Sequence, residues 1–255
     1  MVTLAHISDP HVGSPFFVPN LMNRVIAEIN EMQPDAVVCS GDLTAEGYRQ
    51  EYKNWVAYAE RIQSPILTVP GNHDSRNVGY LHFEDLIGPR MWSHDLQGVR
   101  IVGVDSSEPD LNEGKVGRVH YDWIRRQFEE PAALKVFVLH HHLLPIPGTG
   151  RERNVVYDAG DVIECLQRAG VDLVLSGHKH VPYAWRLEDL FVVNAGTVSS
   201  LRVRGYTRPC YNVVEIGDDL VDIYRRYPYH DRETIIRFST RTLAYEKHPP
   251  QRGSR

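Results

Sequence analysis

The chain has 255 residues, of which 42% are hydrophobic and 24% charged, the composition of an ordinary folded domain rather than of a fibrous or disordered chain. Its net charge of −5 argues against broad non-specific binding of nucleic acid, which depends on basic surface. No apolar run approaches the roughly 18 residues that cross a membrane.

Residues 2–8 read as a buried strand ending at Asp9. Leu21, Val25, Ile29 and Met32 recur at helical spacing over 20–33, and Pro34 ends that helix. Ala36–Ser40 is a short apolar strand running into Gly41-Asp42. Residues 48–62 are helical, with Tyr52, Trp55, Val56, Ala59 and Ile62 on one side. Pro65–Val69 is a strand that ends at Gly71-Asn72-His73-Asp74. This alternation predicts βαβ units and a largely parallel sheet.

The second half continues the pattern. Arg100–Val104 and Lys135–Leu139 read as strands, with a helix over Tyr121–Phe128 between them. A helix over Asp161–Ala169 is closed by Gly170, and the strand Asp172–Leu175 leads into Gly177-His178. Leu190–Asn194 and Tyr211–Ile216 follow as strands, and Gly217-Asp218-Asp219 turns into Leu220–Arg225. The C-terminal part is therefore more antiparallel. One domain is expected over 1–236, followed by a basic and partly disordered tail over 237–255. Residues 225–255 hold eight basic side chains against three acidic ones, a surplus that suits a solvated tail or contact with an anionic surface.

Cys39, Cys165 and Cys210 have no metal-type spacing and read as buried thiols, which fits a reducing cytoplasm. The chain starts Met1-Val2-Thr3-Leu4 with no leader pattern, so the cytoplasm is the expected location.

Five segments carry the chemistry. Asp9 and His11 are two apart at a strand end, so they can address one ion. Asp42 follows a glycine that lets backbone approach closely, and its two oxygens can bridge two cations. Asn72 offers a neutral oxygen ligand, which leaves His73 free to donate a proton and Asp74 to hold that imidazole or cap the following turn. One of His140, His141 and His142 is expected to be a ligand, with His140 favoured as first after the strand and His141 second. His178 and His180 flank Lys179, so each can address a different ion. Read singly, each segment also suits loop or turn chemistry; all five in this order, each at a strand end, point to two adjacent metal ions. His6, His82, His94, His120, His230 and His248 have no such setting and read as structural or surface residues.

These segments, over residues 3–198, resemble the calcineurin-like metallophosphoesterase superfamily. Ile7-Ser8-Asp9-Pro10-His11, Gly41-Asp42-Leu43-Thr44 and Asn194-Ala195-Gly196-Thr197 look like the branch of class III cyclic nucleotide phosphodiesterases and glycerophosphodiesterases. So does His140-His141-His142 followed by Leu143-Leu144-Pro145. The resemblance implies an α/β fold, a four-layer α/β/β/α sandwich of two mixed sheets flanked by helices. It implies that Asp9, His11 and His180 hold one ion, that Asn72, His140 and His178 hold the other, and that Asp42 bridges them. Pro10 departs from the commoner Leu or Met and removes a backbone donor, but spares both ligands.

The implied activity is hydrolysis of small phosphodiesters by metal-activated hydroxide, with His73 and Asp74 as catalytic residues. A phosphomonoesterase or nuclease on the same centre is the alternative, and a non-catalytic protein-binding scaffold is the alternative of another class. Two divalent ions are the expected cofactors, and an N/O ligand set without thiolate suits Mn, Fe, Zn or Co. A homodimer is a further expectation of the resemblance. Arg76, Asn112, Arg151 and Arg153 are candidate substrate contacts on loops 106–120 and 143–158 or beside the Asn72 motif. Trp92, Trp123 and Trp185 read as core or interface residues rather than stacking platforms.

Overall fold

A computed structural model describes residues 1–150, 154–204 and 207–248. Strand β1 (Val2–Ile7) leads through helix α1 (Pro19–Met32) to β2 (Ala36–Cys39), and helix α2 (Arg49–Ala59) leads to β3 (Ile66–Thr68). Helix α3 (Gly79–Leu86), β4 (Trp92–Leu96), β5 (Val99–Gly103), α4 (Tyr121–Gln127) and β6 (Leu134–Val138) follow. Helix α5 (Ala159–Arg168) precedes β7 (Leu173–Ser176), β8 (Tyr183–Leu187) and β9 (Leu190–Asn194). The chain closes with β10 (Tyr211–Ile216), β11 (Leu220–Arg226), β12 (Arg232–Ser239) and β13 (Tyr245–Lys247).

The strands form two mixed sheets. One has seven strands in the order β13-β12-β11-β10-β1-β2-β3, the other six in the order β4-β5-β6-β7-β9-β8. Strands β1, β2 and β3 run parallel, as do β5, β6, β7 and β9. The remaining pairs are antiparallel.

Three apolar layers hold this arrangement together. Between the sheets lie Leu4, Val38, Val136, Leu175, Phe191 and Phe238, all buried. On the outer face of the first sheet, α1 and α2 bury Met22, Val25, Ile29, Tyr52 and Trp55. On the outer face of the second, α4 and α5 bury Ile124, Val162 and Leu166. Each fully buried large side chain contributes about 1.5–3 kcal/mol by leaving water. The layers are thus helix, sheet, sheet, helix, as the family resemblance implies, with two mixed sheets in place of the one largely parallel sheet read from the strand and helix pattern.

The buried stripe of α1 is Met22, Val25, Ile26 and Ile29; it shares Val25 and Ile29 with the expected one and is rotated toward Met22 and Ile26, leaving Leu21 and Met32 half-buried. Trp92 donates from its indole to the Thr68 carbonyl at 2.7 Å and packs on the inter-sheet layer. Trp123 and Trp185 pack on the α4–α5 layer.

The expected boundary at 236/237 falls inside β12, and β13 pairs with β12 from Ile236↔Lys247 to Phe238↔Tyr245. Residues to Lys247 are therefore part of the sheet, because alternate side chains such as Ile236 and Phe238 bury between the layers. Several of the basic residues pair with carboxylates of neighbouring strands and turns. Arg237 pairs with Asp222 at 2.5 Å, Arg241 with Asp219 at 2.6 Å, and Arg225 with Glu233 at 3.6 Å. These three pairs take up part of the basic surplus over the strands. Residues 249–255, the rest of the expected tail, lie outside the described residues, as do Arg151 and Arg153.

Candidate metal centre

The site forms where the C-terminal ends of both parallel sets meet. Asp9 follows β1, Asp42 follows β2 and Asn72 follows β3; His140 follows β6 and His178 follows β7. Two loops are laced together beyond the strands: Asp9 N–H donates to Gly41 O and His11 N–H to Asp42 O, both at 2.9 Å. Glycines permit the approach. Gly41 has φ +95°, and a Cβ there would meet Gly71 N at 2.7 Å and His140 Nδ1 at 2.9 Å. At Gly177 a Cβ would lie 1.9 Å from Ser8 Oγ.

The backbone is also strained at the centre itself. Asp9, His11, Asp42, His178 and His180 all have positive φ, between 51° and 75°. Asp and His tolerate this region better than most residues, but it still costs on the order of 1 kcal/mol each. Strain of this kind persists where the surrounding structure fixes it, and it clusters at functional sites.

Two groups of ligand atoms result. Asp9 Oδ1, His11 Nε2 and His180 Nε2 form the first: the two imidazole nitrogens are 2.9 Å apart, and His180 Nε2 is 3.1 Å from Asp9 Oδ1. Asn72 Oδ1, His140 Nε2 and His178 Nδ1 form the second, at 3.0–3.2 Å from one another. Asp42 Oδ2 lies between the groups, 3.6 Å from His11 Nε2 and 3.4 Å from His140 Nε2.

The orientation of each ligand is set from behind. His140 Nδ1 faces the Ser40 carbonyl at 2.7 Å, and His180 Nδ1 faces the Arg202 carbonyl. Asp9 Oδ2 accepts from Ser8 Oγ at 2.5 Å and from His178 N–H at 3.0 Å. Its other oxygen, Oδ1, is buried, has no partner in hydrogen-bond geometry, and faces the first group with His180 Nε2 at 3.1 Å. A buried carboxylate oxygen left this way is costly without a cation. Oxygen and imidazole ligands converging on two points therefore fit two divalent ions.

The charges agree with this. Burial works to raise the carboxyls of Asp9 and Asp42, but His180 and His140 outweigh it and hold both well below the usual carboxylate range. Burial works to lower His140, and Asp42 overrides it, pushing the ring up to about 9. Burial and the neighbouring His141 and His140 pull His178 well down. A bound cation would take the place of the proton that Asp42 draws onto His140.

His141 also has a ring nitrogen within 4.8 Å of ligand atoms of His140 and His178. Both its ring nitrogens are already engaged, Nδ1 with Ser106 Oγ at 2.9 Å and Nε2 with the Asn112 carbonyl at 3.2 Å. His140 is thus the one whose free nitrogen faces Asn72 and Asp42.

His73 stands at the rim, half-buried, with a ring nitrogen within 4.8 Å of ligand atoms of His11 and Asp42. Its Nδ1 is held by the Ala45 carbonyl at 2.5 Å. Asp74, expected to hold the His73 ring, is used otherwise. Its carboxylate accepts from Leu43 N–H at 3.0 Å, Gly71 N–H at 2.9 Å, and Thr44 N–H and Oγ1 at 2.9 and 2.8 Å. It clamps the loops after β2 and β3, and takes neither the imidazole-orienting role nor that of capping the following turn.

Arg76 and Asn112, the described candidates for substrate contact, bond each other, and Arg76 also bonds Glu46. Sequence reasoning missed Ser8 and Ser40 behind Asp9 and His140, and Ser106 behind His141. Asp105-Ser106-Ser107 follows β5, at the same end of a parallel strand as the motifs, and that position was the available signal.

The sequence pattern of calcineurin-like phosphoesterases matches residues 2–182. The chain belongs to this family. It is 28% identical over 159 residues to a probable cyclic nucleotide phosphodiesterase of Synechococcus sp., covering 61% of this chain and 62% of that protein. A probable cyclic nucleotide phosphodiesterase of Rhodococcus erythropolis is 28% identical over 193 residues, 69% of this chain and 64% of the relative. The matches thus span under two thirds of these relatives. In fold, the chain is similar to a purple acid phosphatase from yellow lupin seeds, with a TM-score of 0.72 at 16% identity over 92% of this chain and 53% of that one. It is also similar to Plasmodium GAP50, described as the anchor in the inner membrane complex, with a TM-score of 0.70 at 14% identity over 91% and 88%.

Proposed function

We propose that this chain is a two-metal phosphodiester hydrolase acting on small substrates such as cyclic nucleotides or glycerophosphodiesters. The observation that carries the reading is Asp42 Oδ2, set 3.4 and 3.6 Å from a histidine nitrogen of each ligand group. Asp9, His11 and His180 would hold one ion, Asn72, His140 and His178 the other, with Asp42 shared. Divalent ions there would supply Lewis-acid polarisation of the phosphoryl oxygens and lower the pKa of a water.

The chain's own residues do the rest. With Nδ1 of His73 fixed on Ala45 O, proton exchange with a leaving oxygen falls to Nε2. Burial lowers the proton affinity of His73, which makes it a readier donor once charged. Asp74 acts at one remove, by fixing the loops that carry Asp42 and Asn72.

Substrate size is supported by the relatives named as cyclic nucleotide and glycerophosphodiester phosphodiesterases. The net charge of −5 disfavours a nuclease on the same centre. Mn, Fe, Zn and Co all suit the donor set. The three described cysteines are free and buried, which supports a reducing cytoplasm. Among the described residues no helix is long and apolar enough to cross a membrane. Pairing into a homodimer rests on the family resemblance, and sedimentation of the purified protein tests it.

Initial rates on bis-p-nitrophenyl phosphate and p-nitrophenyl phosphate, with the protein loaded with Mn²⁺, test the activity. Faster diester hydrolysis is expected. Faster monoester hydrolysis would make the protein a phosphatase, and no metal-dependent hydrolysis would leave the scaffold reading.

A further inference from the structure

We propose that Arg76 and Asn112 set the polarity of the Asn72 amide, turning its oxygen toward the cation that Asn72, His140 and His178 would share. The inference rests on the two-metal reading above.

A side-chain amide has an acceptor end and a donor end of nearly equal size, so shape alone does not choose between its two orientations. Asn72 Oδ1 faces His140 Nε2 at 3.2 Å and His178 Nδ1 at 3.0 Å. Its Nδ2 donates to Asn112 Oδ1 at 3.2 Å. Turned by half a rotation, the amide would aim its NH₂ at the cation and place its oxygen against the Asn112 oxygen. Two acceptors would then face each other, so Asn112 Oδ1 forbids that orientation.

Asn112 is itself an amide with the same ambiguity, and Arg76 removes it. A guanidinium can only donate. Arg76 Nη2 donates to Asn112 Oδ1 at 2.8 Å, so the Asn112 oxygen must face both Arg76 and Asn72. Arg76 Nη1 is anchored by Glu46 Oε1 at 3.0 Å. A charged pair thereby fixes the direction of two neutral amides in series.

The loop carrying Asn112 is pinned at the same residue. The Asn112 carbonyl accepts from His141 Nε2 at 3.2 Å and from Asn154 Nδ2 at 3.1 Å. His141 can donate there because its Nδ1 takes the Ser106 hydroxyl. The second histidine of the triple run thus anchors the residue that orients a ligand. Asn112 and Arg76 are positioning residues, since neither reaches the ligand group except through Asn72.

The test is Mn²⁺ binding to the full chain, measured by competition with a chelator and by metal content after dialysis. Wild type is expected to hold two ions. Asn112→Leu, which removes the acceptor, should keep one ion and bind the second about 10–100-fold more weakly, the usual cost of losing a group that orients a ligand. Asn112→Asp, which keeps the acceptor, should bind both as wild type does. Arg76→Met should weaken the same ion, and excess Mn²⁺ should restore turnover in Asn112→Leu. Melting in chelator checks that each variant is folded, and Arg76→Met carries the test if Asn112→Leu is not. Two ions bound equally well by wild type, Asn112→Leu and Arg76→Met would overturn this inference alone. Equal weakening in Asn112→Leu and Asn112→Asp would overturn it too. A wild type without stoichiometric metal would overturn the two-metal reading and this inference with it.

Discussion

His140 and Ser40 join the two sheets at the centre. The ring Nδ1 of His140, after β6, lies 2.7 Å from the carbonyl of Ser40, after β2. That contact leaves Nε2 facing Asp42 and Asn72. A ligand held this way meets the cation without first losing ring freedom.

His140→Ala should therefore lose the ion shared with Asn72 and His178, while the ion held by Asp9, His11 and His180 stays. Because losing a group behind a ligand already costs about 10–100-fold in affinity, losing the ligand should cost more. Metal content after dialysis reads this directly. Two ions retained at wild-type affinity would remove His140 from the ligand set and return His141 to it.

His73 stands at the rim beside His11 and Asp42, with its Nδ1 tied to Ala45 O. His73→Ala should lower kcat by about 10²–10⁴ and leave metal content unchanged, as for a lost proton donor. The check is kcat at saturating substrate beside metal analysis of the same sample. Near-wild-type turnover with both ions bound would end its role.

What the sequence made legible was the part written in strand ends. Asp9, Asp42, Asn72, His140 and His178 each follow an apolar run, and a run that stops at a ligand is visible in one dimension. The four layers came from the resemblance those motifs carry. Asp74 departs from its expected role for a physical reason. Its partners are backbone N–H groups of Leu43, Thr44 and Gly71, and every residue but proline has an N–H to offer. The same holds for Ala45 O and Ser40 O behind His73 and His140. Strand β12 was hidden because Arg232, Glu233 and Arg237 interrupt its apolar positions, although Ile236 and Phe238 alternate into the core.

Asp74→Ala should cost at least about 1–3 kcal/mol, the penalty of a buried donor left unpaired, because the N–H groups of Leu43, Thr44 and Gly71 lose their acceptor. Asp74→Asn should also destabilise, since its NH₂ end would face backbone N–H donors. Urea denaturation in excess chelator measures both, with metal taken out of the balance. A loss below about 1 kcal/mol in both would mean that the clamp contributes no more than one ordinary hydrogen bond.

Strand β13 closes the open edge between the sheets. Lys247 Nζ donates to Ala184 O at 2.5 Å and sits 4.4 Å from the Tyr183 ring centroid, while Arg186 lies 4.7 Å from that of Tyr245. Each cation–π contact contributes about 0.5–1 kcal/mol at such partly exposed sites. A chain ending at Leu243 should therefore melt lower than the full chain and still bind metal, since the proposed ligands run from Asp9 to His180. Calorimetry of the two forms decides it, and an unchanged Tm would show that β13 adds nothing to the sandwich.

Asp158 gives the fold a pH dependence away from the ligands. Burial works to raise its carboxyl, but the Tyr121 hydroxyl at 2.6 Å and the N–H groups of Gly117 at 2.7 Å and Val116 at 3.0 Å outweigh it. The net shift is downward from 3.8. A carboxyl lowered on folding stabilises the protein above its unfolded value and loses that contribution as pH falls through the folded one. The Tm difference between wild type and Asp158→Asn should thus be full above about pH 5 and shrink below about pH 4, where the unfolded carboxyl takes up its proton. Melting curves of both proteins in chelator across that range measure it. A difference that stays constant with pH would mean that Asp158 acts through shape and neutral hydrogen bonds, and that its charge does not anchor the loop before α4 to the start of α5.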